Sequence, residues 1–275
     1  MTAEPVLYEV DAGVAVVTLH RPERRNAMTV PFMHGIEDAL DRADADPAVR
    51  AVVVTGAGPA FSVGAELNGP DTLRLAMEAD TRGHTPEGYR EPAGRITERI
   101  TAMRIPVIGA VNGDAVGGGA TILAAMDYRV AAETARFGFV FTRRGVVAEG
   151  ASTWFLPRLV GLGRATDWLV SGRVFTAAEA LEAGFVARLV PVEEVLSTAL
   201  EYARQFTGTT SPSSVAHVRR LLAESWGAVE PAVSARAESR IYASLLDSPD
   251  AKEGVVSFLE RRPPAFTTTG TEEAR

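Results

Sequence analysis

The sequence predicts an α/β core followed by a second, all-helical region. Runs rich in β-branched residues alternate with helical periods up to about Pro191, and after it helical periods follow one another with no strand between them. Such alternation implies parallel strands in one sheet, because right-handed crossovers return each strand beside the last and place the helices outside. With 275 residues, 46% of them hydrophobic, the chain can bury a large core in one or two domains.

The chain opens with a predicted hairpin and helix. The runs "VLYEV" and "VAVVTL" flank Asp11-Ala12-Gly13, a short turn of the kind that joins antiparallel strands. Thr29 is typical of a helix N-cap and Pro31 of a first turn. Apolar residues at helical spacing then predict a helix that ends near Asp46-Pro47.

The following elements continue the alternation. "AVVVTG", "PVIGAV" and "YRVAA" are the predicted strands, whereas the segment from Asn68 to about Gly94 has no clear pattern. The four helical periods near the carboxyl end are "VEEVLSTALEYARQF", "SSVAHVRRLLAESW", "AVSARAESRIYASLL" and "AKEGVVSFLERR". We expect the polar tail "TTTGTEEAR" to be disordered.

Composition narrows the classes of function. The net charge of -7 argues against nonspecific nucleic-acid binding, and no apolar run is long enough to span a membrane. The opening lacks a signal-peptide pattern, and a chain without cysteine fits a reducing compartment, so we expect a cytoplasmic location. No metal site is expected, because thiolate ligands are absent and the four histidines show no metal-binding spacing: His20, His34, His84 and His217.

Two glycine-containing stretches place small residues where a strand gives way to a predicted helix. They are "FSVGAELN" and "PVIGAVNGDAVGGGATILAAMD". Neither matches the phosphate-binding P-loop or the dinucleotide spacing G-x-G-x-x-G. Unshielded backbone N–H groups at such junctions could both be aimed at one oxygen, which is the design of an oxyanion hole.

Four segments give the chain a family resemblance that runs through nearly its whole length. "AFSVGAELN", "AVNGDAVGGGATILAAMDYRVAAETARFGF", "LPRLVG" and "DAKEGVVSFLERRPPAF" together resemble the enoyl-CoA hydratase/isomerase family, also called the crotonase superfamily. The resemblance implies a crotonase-like spiral of ββα units over residues 1–195 and an α-helical oligomerisation region over 196–275. It also implies an acyl-CoA substrate, no cofactor apart from the coenzyme A of that substrate, and a homotrimer or dimer of trimers.

The resemblance assigns the two N–H donors and exposes a departure from the family pattern. The donors that would hold the enolate oxygen are Ala65 and Gly118. Hydratases of the family carry a pair of glutamates where this chain has Thr121 and Phe141. A hydroxyl and a phenyl ring cannot do the proton work of two carboxylates, so ordinary water addition is in doubt. Phe141 is expected instead to form part of the wall of the acyl pocket.

One carboxylate lies at a promising place. In "FTRRGVVAEGAS", Glu149 is where several family isomerases place an acidic catalytic residue. Its apolar sequence neighbours predict a raised pKa, which suits a general base, although Arg143 and Arg144 would lower that pKa if they were close. Glu66 is interpreted as structural, as an acidic residue in the first turn of a helix.

Recognition of the coenzyme requires a local basic patch in this acidic chain. The loop "HRPERRNAM" supplies Arg24 and Arg25, which the resemblance places near the pantetheine and phosphates. Phe258 and Arg261 resemble terminal-helix residues that help to cover coenzyme A in the family, often across a subunit boundary.

The sequence therefore predicts an enzyme that isomerises the double bond of an enoyl-CoA, with Glu149 as the proton shuttle. Hydration by atypical residues stays open as an alternative, and so does a non-catalytic member that binds acyl-CoA or RNA. The acidic net charge disfavours RNA. The identity of the acyl chain cannot be read from the residues.

Overall fold

Two sheets with helices packed on them form the core of the computed structural model, which describes residues 4–268. The strands are β1 Val6–Asp11, β2 Val14–Leu19, β3 Ala51–Gly56, β4 Ala60–Ser62, β5 His84–Thr85, β6 Gly88–Tyr89, β7 Val107–Val111, β8 Asp114–Val116, β9 Tyr128–Ala132, β10 Arg136–Gly138, β11 Val174–Thr176 and β12 Arg188–Val190. The helices are α1 Val30–Ala45, α2 Thr72–Ala79, α3 Pro92–Ala102, α4 Gly118–Ala124, α5 Ser152–Val160, α6 Leu162–Ser171, α7 Ala177–Glu182, α8 Val195–Gly208, α9 Pro212–Ser225, α10 Pro231–Leu245 and α11 Pro249–Glu260.

The order of the strands in the two sheets makes the chain wind as a spiral. The first sheet has the order β1-β2-β3-β7-β9-β12 and is parallel except for the β1–β2 hairpin. The second has the order β11-β10-β8-β4, in which β4, β8 and β10 are parallel. Consecutive strands such as β3 and β4, or β7 and β8, go one to each sheet before a helix returns the chain. The fold is therefore mixed α/β, as the sequence predicts.

The predicted hairpin and first helix are confirmed. The β1–β2 register closes on the Asp11↔Val14 pair, which leaves Ala12 and Gly13 as the turn. Helix α1 has Thr29 as its N-cap, whose side chain accepts a hydrogen bond from the Phe32 N–H. The helix buries one apolar face against the core because its buried residues recur at helical spacing: Phe32, Met33, Ile36, Ala39, Leu40 and Ala43.

The helical region is also confirmed. Helices α8 to α11 follow β12 with no strand between them in the part of the chain that the structure describes. Serine N-caps begin two of them, with Ser211 accepting from Ser214 N–H and Ser248 from Ala251 N–H. Helix α8 packs on strands β3, β7 and β9, so it lies on the first sheet as a layer of the core.

Two expectations about local structure need correction. Glu66 does not lie in the first turn of a helix, because residues 66–68 have no regular structure and α2 begins only at Thr72. The stretch is held as a bridge to the loop before α1 instead. Part of the tail is ordered, since the Thr267 N–H donates to Asp250 Oδ1 at 3.0 Å and the Thr268 hydroxyl is paired with Asp250 Oδ2. Residues 269–275 of that tail lie outside the described residues.

No helix within residues 4–268 is both long and apolar enough to cross a bilayer.

Candidate active site

Three parallel strands bring the predicted site residues to one edge of the second sheet. Strands β4, β8 and β10 are neighbours, and their carboxyl ends lead to Ala65, Gly118 and Phe141 respectively. Ligands in open α/β sheets bind outside the carboxyl ends of strands. The topology therefore places segments far apart in the sequence where they can form one site.

The backbone N–H of Ala65 is unpaired, although the residues on either side of it are hydrogen-bonded to the loop before α1. Met28 N–H donates to the Gly64 carbonyl at 2.8 Å, and Glu66 N–H donates to the Met28 carbonyl at 3.0 Å. In a bridge of this kind the intervening residue directs its own N–H to the opposite side. Within residues 4–268 the Ala65 N–H has no protein acceptor.

Gly64 lets the two glycine stretches approach closely. Its φ of +81° lies in the left-handed region, and a Cβ on it would be 2.7 Å from the Val116 carbonyl oxygen and 3.3 Å from Gly118 N. A side chain would therefore strain the backbone and collide with β8. The sequence uses glycine here because the segment before Ala65 packs directly on the start of α4.

The Gly118 N–H is the first of helix α4. Gly117, with φ +57°, donates its own N–H to the Gly138 carbonyl of β10 at 2.8 Å, which fixes the turn. Gly118 N–H has no partner in the described part of the chain, as expected for the first turn of a helix. Two unpaired donors thus lie on adjacent segments at the same edge of the sheet.

Glu149 lies directly over Gly118. Its Oε1 is 3.3 Å from the position that a Cβ on Gly118 would occupy, and Met28 Sδ is 3.1 Å from the same position. The Glu149 backbone carbonyl accepts from Ser152 N–H at 3.1 Å, at the start of α5. Its carboxylate has no hydrogen-bond or ion-pair partner among residues 4–268.

The environment of Glu149 raises the pKa of its carboxyl group to about 7. Burial is the larger cause, and the negative charge of Glu91 is the second. The pKa is thus raised, as predicted, but the valines next to Glu149 in the sequence are not the cause. Val147 is 85% exposed, so the apolar surroundings come from Met28 and Gly118 on other segments. The Arg143 side chain, which could have lowered this pKa, donates instead to the Ser171 carbonyl at 3.1 Å.

The positions of the missing glutamate pair are filled by buried side chains. Thr121 is fully buried on α4, its methyl group lies where a side chain on Gly150 would go, and its hydroxyl has no partner among the described residues. Phe141 is buried at the end of the segment that follows β10. The Thr121 methyl group therefore packs against the turn that carries Glu149.

The structure also brings in a carboxylate that the sequence did not indicate. Glu91 is the N-cap residue of α3, and its Oε1 accepts a hydrogen bond from the Gly150 N–H at 2.7 Å. The Glu91-Pro92 pair is a recognisable helix start. Nothing in the local sequence, however, points to a contact with a turn 59 positions away.

Arg24 lies in the loop "HRPERRNAM" beside the Ala65 segment. Its side chain is 57% exposed, and its Nη2 is 3.2 Å from Glu66 Oε1. Arg21 holds the other oxygen of the same carboxylate at 2.7 Å. The contact with Arg21, together with the charge of Arg24, lowers the pKa of Glu66 despite its partial burial. Glu66 thus ties the Arg24 loop to the segment that carries the Ala65 N–H.

Arg25 and the terminal-helix residues differ from Arg24 in their surroundings. Arg25 pairs with Asp114 Oδ2 at 2.8 Å, and Arg136 shares that carboxylate. Phe258 is 81% exposed on α11, and Arg261 is exposed at the end of that helix. No hydrogen bond or ion pair within residues 4–268 joins Phe258 or Arg261 to the Arg24 loop or to Glu149.

A cavity of about 900 Å³ lies elsewhere, between the core and the carboxy-terminal helices. Its walls include Phe155 of α5, Tyr202 of α8, Leu222 of α9 and Val255 of α11. None of Ala65, Gly118 and Glu149 lines it. The cavity is therefore separate from the two unpaired N–H groups.

Comparisons with known proteins show the family of the chain. The model of the enoyl-CoA hydratase/isomerase family matches residues 9–269. The chain belongs to the enoyl-CoA hydratase/isomerase family. Among the relatives of this family member, an enoyl-CoA hydratase of Alternaria alternata is 37% identical over 263 residues, covering 95% of this chain and 86% of that protein. A probable enoyl-CoA hydratase of Mycobacterium tuberculosis is 32% identical over 270 residues, covering 97% of this chain and 99% of that protein.

Solved structures show that this enoyl-CoA hydratase/isomerase family member has the crotonase fold. A probable enoyl-CoA hydratase/isomerase from Mycobacterium abscessus superposes with a TM-score of 0.84 at 36% identity, covering 95% of this chain and 98% of that chain. An enoyl-CoA hydratase from Bacillus anthracis gives a TM-score of 0.85 at 27% identity, covering 95% of this chain and 98% of that chain. The protein is thus an acyl-CoA enzyme of this family.

Proposed function

We propose that the protein moves the double bond of an enoyl-CoA, with Glu149 carrying the proton and the N–H groups of Ala65 and Gly118 holding the thioester oxygen. The observation that carries the proposal is the position of Glu149 Oε1, 3.3 Å from where a Cβ on Gly118 would be. A thioester oxygen bound at the Gly118 N–H would bring its neighbouring carbons within reach of that carboxylate.

The reaction needs only these groups. Glu149, in its ionised form, removes a proton from the carbon between the thioester carbonyl and a 3,4-double bond. The electron pair moves onto the thioester oxygen as a dienolate, which the two N–H groups stabilise by about 3 kcal/mol each. Return of the proton from Glu149 to carbon 4 leaves a 2,3-double bond, so no atom is gained or lost.

The properties of Glu149 support this role. A base must be ionised often enough to act and basic enough to hold the proton in the intermediate, which favours a pKa near the working pH. Burial and the charge of Glu91 raise the pKa of Glu149 to about 7. Its carboxylate has no protein partner in residues 4–268 that would compete with a substrate.

The binding of the coenzyme part of the substrate is a further part of the proposal. Arg24 is exposed and lies beside the Ala65 segment, which supports a contact with the phosphates. Arg25 would contact the phosphates while it is also paired with Asp114. Phe141 would contact the acyl chain. Phe258 and Arg261 would act on a neighbouring copy in a trimer or dimer of trimers, where the exposed face of α11 is covered.

The cellular setting and the need for cofactors complete the proposal. The absence of cysteine from the sequence supports a cytoplasmic enzyme, because proteins of a reducing compartment rarely contain disulfides. The isomerisation needs no cofactor besides the coenzyme A of the substrate, since proton transfer and backbone hydrogen bonds supply all its steps.

Hydration is a second candidate that two observations favour. Relatives of the chain are named enoyl-CoA hydratases, and Glu91 supplies a second carboxylate near Glu149 despite the loss of the family pair. Water held between two carboxylates could add to a 2,3-double bond. Glu91 already accepts the Gly150 N–H, however, which engages one of its oxygens.

Mass detection of products separates the two reactions. The protein is incubated with a 3-enoyl-CoA and, separately, with a 2-enoyl-CoA. An isomerase converts the first into a product of unchanged mass, whereas a hydratase converts the second into a product heavier by one water. Hydration without any isomerisation would overturn the proposal, and acyl-CoA binding without turnover of either substrate would do the same.

A further inference from the structure

Glu91 holds the turn that follows Glu149. Its Oε1 accepts the Gly150 N–H at 2.7 Å, and Gly150 and Ala151 are both in the left-handed region, with φ of 60° and 51°. Two consecutive left-handed residues are costly outside glycine, and a turn of this kind persists only when its surroundings hold it. The bond to Glu91 comes from α3, a different element, and reaches the residue next to Glu149.

The start of α3 is built to accommodate the Glu91 carboxylate. The Gly94 N–H donates to the Glu91 carbonyl at 3.1 Å, and a Cβ on Gly94 would lie only 2.6 Å from Glu91 Oε1. A larger residue at position 94 would push the carboxylate away from Gly150. The helix N-terminus also favours a negative charge at this place.

The charged groups on the neighbouring elements are engaged elsewhere. Helix α4, which packs under Glu149, carries no charged residue. The other cations around the site have their own partners: Arg25 with Asp114, Arg90 with Glu98, Arg95 with Glu37 and Asp80, Arg143 with the Ser171 carbonyl, and Arg158 with the Trp154 ring; Arg144 is exposed. Glu91 is the charge that acts on the Glu149 carboxyl, and it raises its pKa in addition to burial.

We propose that Glu91 is a positioning residue for Glu149: through the Gly150 N–H it holds the turn that places the Glu149 carboxylate over Gly118, and its charge acts on that carboxylate. This proposal rests on the proposed function of Glu149 as the proton carrier. Glu91 does not itself exchange a proton with the substrate. It combines two effects, geometry and charge, that suitable variants can separate.

Two variants separate the effects. Glu91→Gln keeps an oxygen that can accept the Gly150 N–H but removes the charge, whereas Glu91→Ala removes both. Glu98→Gln, on the exposed side of the same helix, is the matched control for loss of one negative charge. Rates with a 3-enoyl-CoA are measured across the pH range for each variant, together with thermal unfolding to confirm that each one folds.

The expected results differ between the variants. Glu91→Gln should lower the apparent pKa of kcat/KM by roughly half a unit to one unit and leave the maximal rate within a few-fold of the parent. Glu91→Ala should lose about tenfold or more in kcat at every pH, with KM little changed, because the carboxylate is no longer held in place. Glu98→Gln should match the parent in both respects.

An unchanged pH profile for Glu91→Gln would overturn the role of the charge, and an unchanged kcat for Glu91→Ala would overturn the positioning role. Complete loss of activity in Glu91→Gln at all pH values would show that Glu91 is itself a proton donor or acceptor, which also contradicts the proposal.

A readout without turnover distinguishes failure of this proposal from failure of the isomerase function. The free energy of unfolding is measured across the pH range for the parent and Glu149→Gln. The same measurement is made for Glu91→Gln and for the double variant that carries both Glu91→Gln and Glu149→Gln. The difference within each pair reports the titration of Glu149. We expect its midpoint to fall in the Glu91→Gln background even if the enzyme proves to act on another acyl-CoA, and an unmoved midpoint would reject the proposal whatever the reaction.

Discussion

Glu149 Oε1 lies 3.3 Å from the position that a side-chain carbon on Gly118 would occupy. The two residues are on different segments, one after β10 and the other at the start of α4. The contact explains why position 118 must be small: a methyl group there would press on both Met28 and Glu149. It also places a carboxylate with a raised pKa beside an unpaired backbone N–H.

Removing the Gly118 N–H should affect turnover much more than binding. Gly118→Pro removes the donor at the first position of a helix, where proline is tolerated. Gly118→Ala adds the same Cβ but keeps the N–H, so it controls for crowding against Met28 and Glu149. We expect kcat of the proline variant to be lower than that of the alanine variant by about 10²–10³-fold. Equal rates for the two variants would show that this N–H holds no developing charge.

Glu149 should make the protein less stable as the pH rises. The pKa of its carboxyl is 4.5 ordinarily and about 7 in the folded chain. Below about pH 4 both states are protonated, so Glu149 adds no pH-dependent cost. Between the two values the unfolded chain ionises first and stability falls, and above about pH 7 the loss is constant. The free energy of unfolding of Glu149→Gln minus that of the parent should therefore be about 3 kcal/mol larger at about pH 8 than at about pH 4.

The measurement is chemical denaturation of the parent and Glu149→Gln at about pH 4 and pH 8. The difference between the two proteins should grow on going from the lower to the higher pH. A constant difference would mean that Glu149 titrates alike in the folded and unfolded states.

Arg24 should contribute to recognition of the coenzyme. It is exposed, it lies beside the Ala65 segment, and its ion pair with Glu66 leaves room for a second anion. Arg24→Ala is expected to raise KM for an acyl-CoA by about tenfold, because a phosphate loses a charge-assisted hydrogen bond, with kcat little changed. Arg188→Ala, at an exposed position on β12, is the control. With an acyl thioester that lacks the coenzyme phosphates, we expect the parent and Arg24→Ala to have the same KM. Equal KM values of the two proteins for the complete acyl-CoA would contradict the prediction.

The exposed apolar face of α11 should be covered by another copy of the chain. Val255, Val256, Phe258 and Leu259 are 60%, 42%, 81% and 72% exposed. Contiguous apolar surface of this kind is uncommon on monomers. Light scattering at micromolar concentration should give three or six chain masses, and Phe258→Glu should shift the population towards smaller species. A parent protein that is monomeric under these conditions would refute the prediction.

The sequence predicted the elements more fully than the contacts between them. Strand and helix patterns located α1, the parallel strands and the helical region, because hydrophobic periodicity and caps are local. It did not show that the Ala65 stretch forms a bridge with Met28 before α2 begins, since that pairing depends on a segment far away in the chain.

The candidate site was predictable in part for the same reason. Family-like segments indicated Ala65, Gly118 and Glu149; the fold places Ala65 and Gly118 after neighbouring strands and brings the Glu149 carboxylate next to Gly118. Glu91 was not predictable, because it comes from a segment without clear pattern and acts through the N–H of Gly150. The partner of Arg25 was also hidden, since Asp114 belongs to β8, on another part of the chain.

Conversion of a 3-enoyl-CoA in deuterated water by the parent and by Glu149→Gln tests the central claim most directly. The glutamine keeps the shape of Glu149 but cannot carry the proton. If Glu149 is the shuttle, the parent forms the 2-enoyl-CoA with a rate that rises through an apparent pKa of about 7. Solvent deuterium enters carbon 4 only to the extent that the Glu149 carboxyl exchanges its proton with the solvent before returning it. Glu149→Gln should then be slower by roughly two to four orders of magnitude while remaining folded. Turnover by Glu149→Gln at the parent rate, with the same deuterium content in the product, would contradict the account.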